Sequence, residues 1–100
     1  MLNYIERDAA LVREHLPEGT EVPSDTEELF RIYAVLMRAK GTDTQASDVH
    51  DAWSAWMTAS DPEHDSIRPF ADLDAETRSE DGPFLLAIRR AAQASASRAE

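Results

Sequence analysis

The chain has 100 residues, of which 42% are hydrophobic and 30% are charged, so it is long enough for one domain with one modest core. It contains no cysteine, which excludes disulfides, thiolate nucleophiles and cysteine-ligated zinc. The net charge is −10, and residues 41–82 carry eleven acids against two bases, so direct binding to a nucleic-acid backbone is disfavoured.

The N-terminal residues give no sign of a targeting segment. The stretch MLNYIERDAALVREH lacks the basic head and apolar run of a signal peptide. No apolar run approaches the roughly 18–20 residues that cross a membrane. We therefore expect a soluble, cytoplasmic protein without a membrane-spanning segment. We expect a single helical domain over 1–94 and a frayed tail over 95–100.

The first two predicted helices are separated by a loop at 17–25 that is rich in proline and glycine. In NYIERDAALVREHL (3–16), Asn3 is a candidate N-cap. In SDTEELFRIYAVLMRAK (24–40), Ser24 and Glu27 predict a capping box, and Gly41 follows the last turn. Apolar residues cover most of this second helix, which indicates that it is the centre of the core. They are Leu29, Phe30, Ile32, Tyr33, Leu36 and Met37.

The third helix is predicted from DVHDAWSAWMTAS (48–60), which holds both tryptophans of the chain. Its apolar face at helical spacing consists of Val49, Ala52, Trp53, Trp56 and Met57. At about 100° per residue, His50 lies at the edge of this face and Asp51 points away, so the two cannot form a catalytic pair. The tryptophans are interpreted as core residues. The alternative is that an exposed edge of one ring faces a cleft.

The remaining elements are an irregular acidic segment and a closing helix. Residues 61–73 are too rich in proline and aspartate for a regular element, although Ile67–Phe70 could run extended. Asp74 predicts the N-cap of a short helix, and Asp81-Gly82-Pro83 predicts the start of the last helix. We expect Trp53, Trp56, Phe84 and Ile88 to pack around the second helix. The predicted fold class is all-α, with four main helices in one small domain.

No motif in the chain predicts catalysis, a metal site or a cofactor. Asp61, Glu63, Asp65 and Asp72 match the carboxylates of a calcium loop, but Ser66 stands where that loop requires glycine. The chain has no H-E-x-x-H, G-x-S-x-G, phosphate-binding loop or G-x-G-x-x-G motif. The prediction is therefore a protein that is not an enzyme, with no catalytic residue, no metal and no cofactor.

Several pieces of the second half resemble a known family. They are His50-Asp51-Ala52-Trp53, His64, Ile67-Arg68-Pro69-Phe70-Ala71-Asp72-Leu73 and the Glu80-Asp81 turn. Over about residues 27–92, the chain resembles the ryanodine-receptor repeat (RYR) domain. The Gly-Trp-x-Tyr-Gly stretch of that family is missing here. The chain is also similar to small proteins of actinobacteria and their phages.

The resemblance implies a module that binds a nucleotide-derived ligand. One of the two tryptophans would stack on a base, and histidine and arginine side chains would contact polar groups. The ligand-binding residues predicted in this way are His50, Trp53, Trp56, His64, Arg68 and Phe70. RYR units usually occur in pairs, so a homodimer that imitates such a pair is a further expectation.

Two main hypotheses for the function therefore remain open. In the first, the protein is a small acidic interaction or accessory module, which could be phage-encoded and act on a host factor. Its partner would be a protein that contacts Asp61, Glu63 and Asp65. In the second, it is an RYR-like module for a nucleotide-derived small ligand. An enzyme is the third and least favoured hypothesis, because it would need a convergent acid beside His50 or His64.

Overall fold

The computed structural model describes residues 3–98, which contain five α-helices, two single-turn 3-10 helices and no β-strand. The helices are α1 (Tyr4–Glu14), α2 (Glu27–Lys40), α3 (Ala46–Ser60), α4 (Ala75–Ser79) and α5 (Gly82–Arg98). The 3-10 turns are Gly41–Asp43 and Phe70–Asp72. The prediction of an all-α fold with four main helices is confirmed. The acidic segment between α3 and α4 is irregular, and Ile67–Phe70 forms no strand.

Local hydrogen bonds explain where the helices begin. The Asn3 side chain accepts a hydrogen bond from the Glu6 amide at 2.8 Å, so the predicted N-cap of α1 is confirmed. The predicted Ser24 capping box of α2 is wrong, because the N-cap is Thr26. Asp25 has a φ of 61°, in the left-handed region, so the helix cannot begin before it.

Helix α2 lies at the centre of the core, in contact with α1, α3 and α5. Phe30 and Tyr33 are each 1% exposed, and their rings meet edge to face with centroids 5.6 Å apart. Ile88 of α5 is fully buried, while Trp53 and Trp56 of α3 are partly buried against the same cluster. This is the packing that the apolar pattern predicted.

Polar contacts fix the connections around α2. Asp8 of α1, 8% exposed, forms an ion pair with Arg38 near the end of α2. Gly41 ends α2 with φ 55° and ψ −129°, a conformation that only glycine adopts readily. Arg89 of α5 donates from Nε to the carbonyl of Thr44 at 2.8 Å, which ties the α2–α3 connection to α5.

The described part of the chain ends with α5, which continues to Arg98. The tail predicted to fray at 95–100 therefore begins within a helix, and residues 99–100 lie outside the described residues. Within residues 3–98, none of the helices combines the length and apolar character needed to cross a membrane.

The central position of α2 predicts graded effects of shortening its side chains. Phe30→Ala should lower the free energy of unfolding by about 3–5 kcal/mol, because the ring is buried. Leu36→Ala should cost about 1–2 kcal/mol, since Leu36 is only partly buried. Val35→Ala is the control on the same helix. Val35 is 54% exposed, so its loss should change stability by less than about 0.5 kcal/mol.

Urea unfolding followed by circular dichroism measures all three values. A similar decrease in the free energy of unfolding for Val35→Ala and Phe30→Ala would contradict the assignment of α2 as the centre of the core.

Candidate functional site

A cleft of about 540 Å³ opens between α2, α3, the start of α5 and the loop that precedes α2. This volume lies within the range of sites that hold small organic ligands. Part of the lining comes from Gly19–Pro23 in the loop, and another part comes from α3 and the segment that follows it. The site therefore combines residues from both halves of the chain.

Aromatic side chains form much of the cleft lining. They are Phe30 and Tyr33 of α2, Trp53 and Trp56 of α3, and Phe84 of α5. The rings of Phe30, Tyr33 and Phe84 pack against one another, with centroids 5.6–6.2 Å apart. Such a lining offers a ligand both apolar area and negatively polarised ring faces.

His50 is buried behind the aromatic wall, with 3% of its surface exposed. Its Nε2 atom lies 2.7 Å from the carbonyl oxygen of Arg68. A carbonyl oxygen only accepts hydrogen bonds, so Nε2 must carry a proton and donate it. The sequence placed His50 at the edge of the apolar face of α3. In the structure the ring at this edge is buried, because the Arg68 carbonyl and the Phe70 ring lie against it.

The other ring nitrogen of His50 faces Asp81, the residue immediately before α5. Nδ1 lies 4.0 Å from the Asp81 carboxylate, whose side chain is 13% exposed. Burial raises the pKa of Asp81 to about 6; the charge of His50 opposes this shift, and the charge of Glu80 adds to it. Asp81 is therefore a carboxyl group that still holds its proton at mildly acidic pH.

Asp81 also affects Tyr33, another residue of the cleft lining. Burial raises the pKa of the Tyr33 hydroxyl above its ordinary value, and the Asp81 carboxylate raises it further. Tyr33 therefore remains a neutral hydroxyl at any physiological pH.

The arrangement around His50 has the composition of a serine-hydrolase triad but not its hydrogen bonding. Ser54 Oγ lies 3.4 Å from His50 Nε2, and Asp81 lies on the other side of the ring. In a triad, Nε2 accepts the serine proton. Here Nε2 is occupied as a donor to the Arg68 carbonyl, so it cannot act as the base for Ser54.

His64 lies beside Trp53 in the same wall, with the two rings edge to face and centroids 5.0 Å apart. Its Nδ1 accepts a hydrogen bond from the Ser66 amide at 3.1 Å. The proton of the neutral ring is therefore on Nε2, which gives this side of the cleft a hydrogen-bond donor.

Four of the six predicted ligand-binding residues line this cleft, namely His50, Trp53, Trp56 and His64. The other two lie outside the lining. Arg68 is exposed, and its Nε donates to the carbonyl of Asp65 at 3.0 Å. Phe70 is partly buried and packs behind His50, with ring centroids 6.1 Å apart.

The predicted partner-binding residues Asp61, Glu63 and Asp65 are all exposed on the irregular segment after α3. They lie outside the cleft lining. Across the described residues, no three histidine, aspartate or glutamate side chains come close enough together to hold a metal ion.

The sequence reasoning missed some residues of the site. It interpreted Asp81 only as the start of the last helix, although its carboxylate faces His50. It interpreted Phe30, Tyr33 and Phe84 only as core residues, and 19–23 only as a loop. The enzyme hypothesis required an acidic residue beside His50, and this was the one signal that could have pointed to Asp81. It did not indicate which of the acidic residues in the chain would lie close to His50.

The comparisons with known proteins identify the family. The chain matches the family described as "Domain of unknown function (DUF7701)" over residues 3–93, and it belongs to that family. The search of curated proteins and the search of solved structures both returned no match. The family match does not test the resemblance to the RYR domain or to proteins of actinobacteria and their phages, which stays a prediction.

The raised pKa of Asp81 predicts a pH-dependent stability. Folded Asp81 holds its proton up to a pH of about 6, whereas the ordinary value is 3.8. Between pH 3.8 and about 6, the folded state therefore binds more protons than the unfolded state. The contribution of this group to the free energy of unfolding falls as the pH rises through this range. Asp81→Asn removes the buried charge. It should match the wild type near pH 4 and exceed it by about 1–3 kcal/mol at pH 7.

Chemical unfolding at a series of pH values tests this, with Asp51→Asn as the control. Asp51 lies on the exposed face of α3, so that variant should follow the wild-type pH profile. Parallel profiles for Asp81→Asn and the wild type would contradict the assignment of a desolvated carboxyl group at residue 81.

Proposed function

We propose that the protein is a small, acidic, non-catalytic binding module that holds a small organic ligand in the aromatic cleft. The observation that carries the proposal is the cleft itself, about 540 Å³ and lined by Trp53, Trp56 and three further aromatic rings. Tryptophan rings at the wall of a cleft of this size are typical of sites that bind the planar or apolar part of a ligand.

The hydrogen-bonding pattern of His50 supports a binding role over a catalytic one. Both of its nitrogens face protein groups, the Arg68 carbonyl and the Asp81 carboxylate. The ring is therefore held in place, with only 3% of its surface exposed. Such a histidine supports the wall of the cleft, and its Nε2 proton is donated to the Arg68 carbonyl rather than to a ligand.

The lining also bears on the nucleotide hypothesis. Glu21, Glu80 and Asp81 line the cleft, and no lysine or arginine does so among the described residues. A phosphate group would be repelled there. Of a nucleotide-derived ligand, the base and sugar suit the aromatic walls, whereas the phosphates do not. We therefore propose a ligand without a phosphate in the cleft.

The proposal predicts that small aromatic molecules change the tryptophan signals of the protein. Adenosine, which has a planar base and no phosphate, should shift the indole N–H resonances of Trp53 and Trp56 in a saturable way. Trp56→Ala should abolish the response at retained fold, because it removes one wall of the cleft. Tyr4→Ala is the control, since Tyr4 is an exposed aromatic residue outside the lining.

Native mass spectrometry of gently purified protein adds a direct test. A non-covalent adduct that Trp56→Ala loses and Tyr4→Ala retains would identify the ligand by its mass. If no adduct is found and a set of small aromatic molecules leaves the tryptophan resonances unchanged up to millimolar concentration, the cleft is not a ligand site.

A second candidate function is the binding of a protein partner. It is favoured by the exposure of Asp61, Glu63 and Asp65, which lie close together in the chain on the surface of the irregular segment. Three neighbouring carboxylates attract a basic surface in a salt-dependent way.

Reversal of all three charges to lysine should weaken the capture of such a partner and reduce its dependence on salt. The matched control reverses three exposed acids elsewhere, at Glu14, Glu18 and Asp43. Equal capture by both variants in pull-down experiments at low and high salt would contradict a specific role of residues 61–65.

A further inference from the structure

The charged groups of the cleft all have the same sign. Glu21 lies on the loop wall, and Glu80 and Asp81 lie between α4 and α5. Among the residues that the structure describes, the lining contains no lysine or arginine to balance them. An occupant that brings a positive charge would meet three carboxylates and no lysine or arginine of the lining.

Asp81 carries most of this argument because it is largely desolvated. Its side chain is 13% exposed, and the Nδ1 atom of His50 lies 4.0 Å away, beyond hydrogen-bond distance. Glu80 beside it raises the pKa of Asp81 further, and Asp81 in turn raises the pKa of the Tyr33 hydroxyl on α2. Neither supplies a positive charge. A buried carboxylate without a close cation is costly, and a cationic ligand would offset that cost.

The aromatic walls favour the same class of ligand. A cation over the face of a tryptophan, tyrosine or phenylalanine is attracted by the negative charge above the ring. The protein already uses this interaction: Arg38 lies 4.6 Å from the ring centroid of Tyr4, outside the cleft lining, and Arg13 lies 4.2 Å from that of Phe30, one of the lining residues.

The two tryptophans differ in how far their faces are already covered. His50 stacks on Trp53 with ring centroids 5.7 Å apart, and His64 meets Trp53 edge to face. Among the described residues, no aromatic ring or guanidinium packs against Trp56 in this way. Trp56 therefore lines the cleft without an aromatic or guanidinium partner, and we assign the ligand cation to this ring.

We propose that the cleft binds a small organic cation, a molecule with a protonated or quaternary amine attached to an apolar or aromatic body. The body packs against the aromatic walls, and the charged nitrogen is recognised by the Asp81 and Glu80 carboxylates and by the face of Trp56. This inference rests on the proposed function, since it names the class of ligand for the same cleft.

Three probes of nearly equal shape test the charge preference. Phenethylamine is cationic at neutral pH, phenethyl alcohol is neutral and phenylacetate is anionic. Titrations followed by tryptophan resonances or calorimetry should give phenethylamine an affinity about tenfold above that of the alcohol. Phenylacetate should bind most weakly, because the carboxylates of the cleft repel it.

Asp81→Asn should remove most of the difference in affinity between the amine and the alcohol, because it removes the carboxylate that attracts the charged nitrogen. Asp51→Asn makes the same charge change outside the cleft and should retain the wild-type preference. Trp56→Leu keeps an apolar side chain but removes the ring, and it should also reduce the preference for the amine. Glu80→Gln replaces Asp81→Asn as the test variant if the latter fails to fold.

Proton release separates recognition by Asp81 from a structural role of the same residue. Near pH 6, about half of the Asp81 carboxyl groups are protonated in the free protein. A cation that binds beside this group lowers its pKa, so phenethylamine binding should release protons. Calorimetry in two buffers of different ionisation enthalpy measures this release, which Asp81→Asn should abolish.

The possible results distinguish this inference from the proposed function. If phenethyl alcohol or adenosine binds and phenethylamine binds no better, the preference for a cation is wrong and the ligand site stands. If Asp51→Asn reduces the preference as much as Asp81→Asn does, the attraction comes from the overall charge and the inference is also wrong. If neither adenosine nor any of the three probes perturbs the tryptophans, both proposals fail.

Discussion

The hydrogen bond between His50 Nε2 and the carbonyl of Arg68 determines much of the site. It holds the irregular segment after α3 against that helix, where no regular element would otherwise position it. It also fixes the proton of the neutral imidazole on Nε2, and in this ring orientation Nδ1 faces Asp81. The same segment carries His64 to the edge of Trp53. One buried contact thus sets the position of a wall, the tautomer of a histidine and the surroundings of a carboxyl group.

The core and the cleft share their largest side chains. Phe30 and Tyr33 are each 1% exposed and belong to the core cluster, yet both contribute to the cleft lining. In a domain of this size there is little apolar area to spare, so the residues that stabilise the fold also shape the site. A rigid floor of this kind limits how far the cleft can adapt to different ligands, because closely packed aromatic side chains cannot move independently.

The charges of the cleft lining distinguish between ligands that would fit the cleft by shape alone. The residues that resemble the RYR domain meet at the cleft only in part, since His50, Trp53 and His64 line it while the Arg68 side chain turns back to the backbone of Asp65. Of the carboxylates in the lining, Glu21 and Glu80 are exposed, whereas Asp81 is largely buried, where an uncompensated charge has a larger effect than it has at the surface. The composition indicated an acidic protein, but only the fold concentrates part of that charge in an aromatic cleft.

The sequence by itself determined the helices and their apolar faces, because these depend on residues three or four positions apart in the chain. It also excluded a pair between His50 and Asp51, which point in different directions from one helix. It predicted the start of α2 at Ser24 instead of Thr26, since no sequence pattern shows that Asp25 adopts a left-handed conformation. Only the tertiary structure decided that Asp81 faces His50 and that residues 19–23 form a wall of the cleft. Those contacts join distant segments, and their geometry follows from how whole helices pack rather than from any local pattern.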